Sequence, residues 1–381
     1  MDTAIPPTPG ETTATADGFS HRAKAFKERH HLAFEVAFFF AGFLFDVILL
    51  HRIDSTPLLI HQATYLFLSA ALIFWDHRLA VMGREPTGVL GKIASYRLWA
   101  MHFFLGTLLN AFLVFYFRSS SGFFAFVFIV LLSVVIVANE LPQFRKQGPI
   151  VRVALLSFAT TSFLAYLLPV VWGELRSWQY LGAIAFGATV TVLTWRLFTR
   201  ITRDPHWTFR RGLLPGLLVQ VTLLGLYLFD AIPPVPLSLK HIGIYTQVTP
   251  ERSESRIHYR LQYQKPPPWQ FWKLENNELI AASGDKAWAF VRIFAPARFH
   301  DRVGFQWEYD EPGKGWTPRG DPFRSGLSGG NEEGYATFAY STLSKPGHYR
   351  VRVLTEDGRE IGRKSFNFVV GEPPVPVEEI D

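Results

Sequence analysis

Residues 31–54 read "HLAFEVAFFFAGFLFDVILLHRID". From Leu32 to Leu50 the run is apolar apart from Glu35 and Asp46. Its length approaches the roughly 20 residues that carry a helix across about 30 Å of hydrocarbon. Lipid offers no partner for backbone N–H and C=O groups, so such a run must be helical. Six comparable runs follow, near 57–75, 99–117, 122–140, 151–172, 180–198 and 212–232. The short connections "HRIDST" and "RSSS" fold the first and second pairs into antiparallel hairpins, and Pro169 and Pro215 are expected inside helices. The expectation is therefore a bundle of seven transmembrane helices over residues 31–232.

Charge is distributed to match. Basic residues on the N-terminal tail and after every second helix are Arg22, Lys24, Lys27, Arg29, Arg78, Arg84, Lys92, Arg97, Arg145, Lys146, Arg152, Arg196, Arg200, Arg203, Arg210 and Arg211. The alternate connections hold only Arg52, Arg118 and Arg176. By the positive-inside rule this places the N-terminus in the cytoplasm and the C-terminus outside. The net charge of +6 arises in this half of the chain. It is a topological signal, and no nucleic-acid partner is expected. Residues 1–30 are polar, lack the basic-then-apolar pattern of a cleaved leader, and are expected to be a disordered cytoplasmic tail.

The composition changes after Asp230. Pro233, Pro234 and Pro236 stop the last helix, and 233–238 is expected to be a stiff, extended linker. Residues 239–371 alternate apolar and polar side chains with period two, in "RIHYRLQYQ" (256–264) and "RVGFQWEY" (302–309), as half-buried strands do. "KAWAFVRIFA" (286–295) is apolar on both faces and is expected to be a central strand. "HYRVRVLTEDGREIGRKSFNFVV" (348–370) is a hairpin turning at Asp357-Gly358. With strands near 239–247 and 335–342 this makes about seven, arranged as an all-β sandwich of immunoglobulin type with Trp307 in its core. The domain is expected to fold without the bundle, and residues 372–381 to be a disordered tail. The chain has no cysteine, which excludes disulfides, thiolate metal sites and cysteine nucleophiles.

The C-terminal part resembles an uncharacterised bacterial family, domain of unknown function 2914. The resemblance is carried by "PLSLKHIGIY" (236–245), "GDKAWAFVRIFAPARFHDRVGFQWEY" (284–309), "SGGNEEGY" (328–335) and "GHYRVRVLTEDGREIGRKSF" (347–366), over roughly residues 237–370. "FDVILLHRIDS" and "FYFRSSSG" resemble the membrane portion of some members. The family brings no activity to transfer.

Candidate functional residues are few. Glu35 and Asp46 lie three helical turns apart and project in nearly the same direction, and intramembrane acids are functional candidates. In an antiparallel hairpin Asp46 is level with His61, and Glu35 is within reach of Arg78 or His77. The pairs either staple the hairpin or serve a transport or catalytic site. In the β-domain Trp269 and Trp272 of "PPPWQFWKLENN" (266–277), with Trp316, are ligand-contact candidates, and core packing or a headgroup-level position explains them equally well. "GLSGG" (326–330) matches G-x-S-x-G but lacks the strand-to-helix elbow that motif needs, and is read as a glycine-rich turn. The histidines show no ligand spacing, so neither a metal nor a cofactor is expected.

The resulting expectation is a bacterial inner-membrane protein, more a binder than an enzyme. It would display a periplasmic β-sandwich that binds or senses an envelope glycan, lipid or protein. A transporter or membrane-embedded enzyme using the helix acids, and a structural subunit of an envelope complex, are the alternatives. A reporter active only in the periplasm should be active when fused after residue 370 and silent when fused at residue 90. The reverse pattern would overturn the orientation.

Overall fold

The structure is a computed structural model, and it describes residues 53–83, 86–140, 148–252, 257–265 and 277–381. The first expected helix, 32–50, and the N-terminal tail lie outside the described residues. The six other apolar runs each fall on a helix. These are α1 (Thr56–Met82), α3 (Arg97–Arg118), α4 (Gly122–Glu140), α5 (Pro149–Trp172), α6 (Ser177–Thr202) and α8 (Leu214–Leu228). A short α2 (Gly88–Ser95) precedes α3, and α7 (Pro205–Thr208) leads through a π turn at Phe209–Leu213 into α8. Five of these helical stretches are long and apolar enough to cross a membrane: α1, α3, α5, α6 and the continuous stretch 205–228. In α4 the apolar stretch is the shorter Gly122–Val137.

α5 is the most buried of the long helices and packs against α1, α3, α6 and α8. Two glycines let these helices approach closely, Gly187 of α6 facing α5 and Gly216 of α8 facing α6. A Cβ on Gly187 would lie 2.1 Å from Thr161 Oγ1, and one on Gly216 would lie 2.4 Å from a Thr191 methyl carbon. Small residues at such crossings let helix backbones approach, which is how helices associate where no hydrophobic force drives them together. Pro169 sits inside α5 as expected. Pro215 follows the π turn, where Leu214 N–H donates to Phe209 C=O, five residues back. The wider turn accommodates a residue that cannot donate.

The β part contains twelve described strands where sequence alternation marks about seven. One sheet is β1 (Ser238–Tyr245), β5 (Lys286–Phe294) and β9 (Tyr335–Thr342), in the order β1-β5-β9. A six-stranded sheet has the order β4-β11-β10-β6-β7, with β8 also pairing β6. Its members are β4 (Glu278–Ala281), β6 (His300–Glu311), β7 (Gly315–Pro318), β8 (Phe323–Ser328), β10 (Gly347–Thr355) and β11 (Glu360–Val370). These two sheets enclose one core built from Val291, Ile293, Val303, Phe305, Trp307, Val351, Val353 and Phe366. The third sheet, β12-β3-β2, is formed by β2 (Gln247–Arg252), β3 (Ile257–Tyr263) and β12 (Val377–Ile380). It covers the back of β5, where Phe290 packs with Tyr245, Val248 and Leu261. That second layer is why β5 is apolar on both faces.

Two expectations are corrected. Residues 372–381 are not a disordered tail, because Val377–Ile380 pairs with β3 and the Asp381 carboxylate binds the Arg292 guanidinium at 2.7 Å. The linker 233–238 is not an extended spacer. Its residues are buried and folded by turns, Val235 N–H donating to Pro233 C=O and Leu237 N–H to Pro234 C=O. Leu237, 1% exposed, belongs to the sandwich core. Apolar side chains on Val235 and Leu237 make a wedge more favourable than a solvated spacer.

The Asp357-Gly358 hairpin is present, with β10 and β11 antiparallel across it. Trp307 is 4% exposed and meets Phe366 edge-on at 6.3 Å. Trp307→Ala should cost about 3–5 kcal/mol of unfolding free energy, measured by denaturant titration of the full chain. A loss below about 1 kcal/mol would show that this ring does not organise the core.

Candidate functional site

The turn between α5 and α6, "WGELRS" (172–177), enters the β-sandwich. Gly173 adopts a left-handed φ of 75°, and a Cβ there would lie 2.4 Å from Arg298 C=O. Its own carbonyl accepts the His300 N–H at 2.8 Å. Leu175 follows, 2% exposed, and it packs within the core cluster of the sandwich itself. Its N–H donates to Asp301 Oδ2 at 3.0 Å. Arg176 Nη1 donates to both Asp301 oxygens at 2.8 Å, and its other terminal nitrogen lies 3.2 Å from Glu174. The Asp301 side chain is only 3% exposed. Burial alone would lower the Arg176 guanidinium, but the hydrogen bond and charge of Asp301, with Glu174 and Glu356, outweigh it and raise its pKa.

The other turns at this end of the bundle make the same contact. Asp54 Oδ2 accepts the Ala297 N–H at 2.9 Å. Ser121 Oγ, in the α3–α4 turn, donates to Glu360 C=O at 3.2 Å. Ser177 Oγ donates to Asp357 Oδ2 at 3.1 Å. At the end of α8 the Arg359 guanidinium lies 5.4 Å from the Tyr227 ring, which stacks on Tyr180 at 4.5 Å. The three connections poor in basic residues therefore share one end with the β-sandwich. A polar pocket of about 550 Å³ opens beside the seat, lined by Arg176, His300, Asp301, Arg302 and Glu356 among others.

The opposite end is closed by an acid that sequence reasoning passed over because it stands near a helix end. Asp76 on α1, 8% exposed, binds Arg97 at the start of α3 at 2.7 Å and Arg152 at the start of α5. Beside it His77 Nε2 hydrogen-bonds Thr202 Oγ1 at 2.8 Å, and its ring stacks on Phe198 at 3.8 Å. Between the two ends a buried hydrogen-bonded cluster joins α5, α6 and α8. Thr161 Oγ1 donates to Gln220 Oε1 at 2.9 Å, Gln220 Nε2 to Ser157 Oγ at 2.7 Å, and Thr191 Oγ1 to Ser157 Oγ at 3.0 Å.

The residues singled out from sequence are not drawn together. Glu35, Asp46, Trp269 and Trp272 lie outside the described residues. His61 is exposed on α1 with its ring 4.0 Å from Tyr65, and Arg78 is exposed near the other end of that helix. Trp316 is 36% exposed beneath the Arg350 guanidinium at 4.3 Å. An open cleft of about 840 Å³ elsewhere in the β part is lined by Trp288, Lys286, Asp285, Gln247, Gln262 and the strap Pro373–Pro376. Among the described residues, no sequence candidate lines it. Ser328 of "GLSGG" ends strand β8 and is not in a turn, opposite His300 on β6. Gly329 follows because a Cβ there would overlap Pro296 C=O. Among the described residues no group of three His, Asp or Glu could hold a metal ion.

With this geometry in place, residues 300–368 match the family described as "Protein of unknown function (DUF2914)", in the C-terminal region where the sequence resemblance lies. The matched segment begins at the seat and ends within β11. A search among curated proteins finds no match. Among solved structures, an immunoglobulin-like protein from Pseudomonas aeruginosa is 13% identical, covering 35% of this chain and 98% of its own, with a TM-score of 0.20. A Listeria innocua beta-glucosidase is 14% identical, covering 26% of this chain and 15% of its own, with a TM-score of 0.18. A Pseudomonas fluorescens alkylpurine DNA glycosylase, AlkC, is 12% identical, covering 84% and 99%, with a TM-score of 0.21. At these scores none of the three bears on what this chain does.

Leu175→Ala should remove about 2–5 kcal/mol of stability and speed hydrogen exchange at the His300 N–H. Unchanged exchange at His300 would show that the turn merely rests against the sandwich.

Proposed function

We propose that this chain is an integral inner-membrane protein of a bacterial envelope. Its N-terminus lies in the cytoplasm, its bundle crosses seven times, and its β-sandwich stands in the periplasm, where it binds or senses an envelope glycan, lipid or protein. The observation that carries this reading is the seat. A side chain of the bundle, Leu175, completes the core of the β-sandwich, and Arg176 neutralises a carboxylate buried there. A domain tethered only for display needs no such shared core. Coupling of this kind lets a change of packing in the sandwich reach α5 and α6 directly, because packed cores respond as units and not by gradual deformation.

The cleft beside Trp288 is the candidate ligand site. It combines an indole, two amides, a hydroxyl on Thr246 and one charge of each sign, Asp285 and Lys286. Such a lining suits a polar, largely neutral ligand with an apolar face, as sugar rings have. Hydrogen exchange of the full chain in nanodiscs, with and without soluble peptidoglycan fragments and lipopolysaccharide, tests this. Protection at residues 246–248 and 280–288, accompanied by altered exchange at 173–177, is expected. No change with either preparation would overturn ligand sensing, and protection of the cleft without response at the seat would reduce the bundle to an anchor.

A further inference from the structure

Five arginines gather where α6 turns back toward α8. Arg196 and Arg200 are four residues apart on α6 and share one helical face, and Arg203 follows at the cap. Arg203 ends α6 in a left-handed conformation, φ 58°, and Asp204 Oδ1 accepts the Trp207 N–H at 3.0 Å. The chain therefore reverses at once and returns Arg210 and Arg211, in the π turn, alongside α6. All five side chains are exposed, and among the described residues none has an ion-pair partner. Asp204 is the one acid between Ser177 and Leu228, and it is occupied with capping.

By contrast, Arg97 and Arg152 share the Asp76 carboxylate, and Arg176 at the other end pairs with Asp301 and Glu174. Like charges on neighbouring positions repel, and among the described residues no acid is placed to relieve them, so an anion from outside the chain is a fitting partner. The surroundings specify what kind of anion. Arg211 lies 5.5 Å from the Trp207 ring, the aromatic type favoured at headgroup depth. On the bundle side of the cluster, Leu193, Leu197, Phe209, Leu214 and Leu218 are all exposed. Guanidinium forks therefore border an apolar surface, and the guanidinium fork matches a phosphate better than an ammonium does.

We infer that the α6–α8 turn is a headgroup seat for an anionic diacyl phospholipid. The phosphate sits among Arg203, Arg210 and Arg211, and the acyl chains lie over the exposed leucines. The inference rests on the reading that the bundle spans a bilayer, and it adds lipid selectivity to that reading.

The test uses the full chain in nanodiscs of phosphatidylcholine alone or of phosphatidylcholine mixed with phosphatidylglycerol. Phosphatidylglycerol should raise the thermal unfolding midpoint, and high salt should reduce the gain. The combined variant Arg203→Gln, Arg210→Gln, Arg211→Gln should lose most of it, while Lys314→Gln on the sandwich keeps it. Equal midpoints in the two lipids, or an equal gain in the triple variant, would overturn the inference. If the triple variant does not fold, native mass spectrometry of the unaltered chain in a mixture of both lipids decides. A clear excess of phosphatidylglycerol adducts supports the seat, and equal adducts overturn it. A chain that stays soluble without detergent would instead remove the membrane reading itself, whereas one that inserts but ignores lipid charge would remove only the seat.

Discussion

The rest of the architecture depends on Leu175 and the Arg176–Asp301 pair. A leucine with 2% exposure, carried on a helix–helix turn, fills space inside a β-sandwich. Beside it a carboxylate with 3% of its surface exposed accepts hydrogen bonds from a guanidinium and a backbone N–H of the same turn. Removing one partner of a buried pair leaves an uncompensated charge, which costs far more than a surface ion pair contributes. Bundle and sandwich are thus parts of one packing problem, and residues 52–381 form one compact unit.

Each end of the bundle solves its charge balance differently. At the seat, the few polar groups of the turns are consumed by the sandwich: Asp54 by Ala297, Ser121 by Glu360, Ser177 by Asp357. At the far end, Asp76 gathers two arginines from neighbouring helices, while among the described residues the arginines of the α6–α8 turn have no ion-pair partner. Between them, Ser157, Thr161, Thr191 and Gln220 satisfy one another, so the middle of the bundle is glued by hydrogen bonds at glycine-lined crossings. A network of this kind holds helices together.

The helices were legible because apolar length is a one-dimensional signal, and hydrocarbon admits only helices for such runs. Strands β1, β3, β5, β6, β9, β10 and β11 were legible from alternation, from an apolar run or from the Asp357-Gly358 turn. β12 was hidden because Pro373, Pro374 and Pro376 precede it and Glu378 and Glu379 lie within it, a composition that reads as a solvated tail. β4 and β7 span only four residues each, too short for a period to register. The apolar back face of β5 was visible in sequence, and so was β3, but β2 and β12, which complete the sheet that covers it, were not. The site was the least legible part. Leu175 is a single apolar residue between charged neighbours, and its partner Asp301 is more than a hundred positions away. No local pattern joins them, whereas Glu35, Asp46 and the tryptophans drew notice because each is locally conspicuous. Asp76 was as informative as those acids, but proximity to a helix end concealed it.

The central claim is that the α5–α6 turn is built into the sandwich. The chain has no cysteine of its own, so the pair Ser177→Cys and Asp357→Cys introduces the only thiols, at side chains 3.1 Å apart. Exposure of intact membranes to a short thiol crosslinker should join the two positions in nearly every molecule. If each cysteine reacts singly with a labelling reagent but the pair does not crosslink, the turn does not sit in the sandwich and the account is wrong.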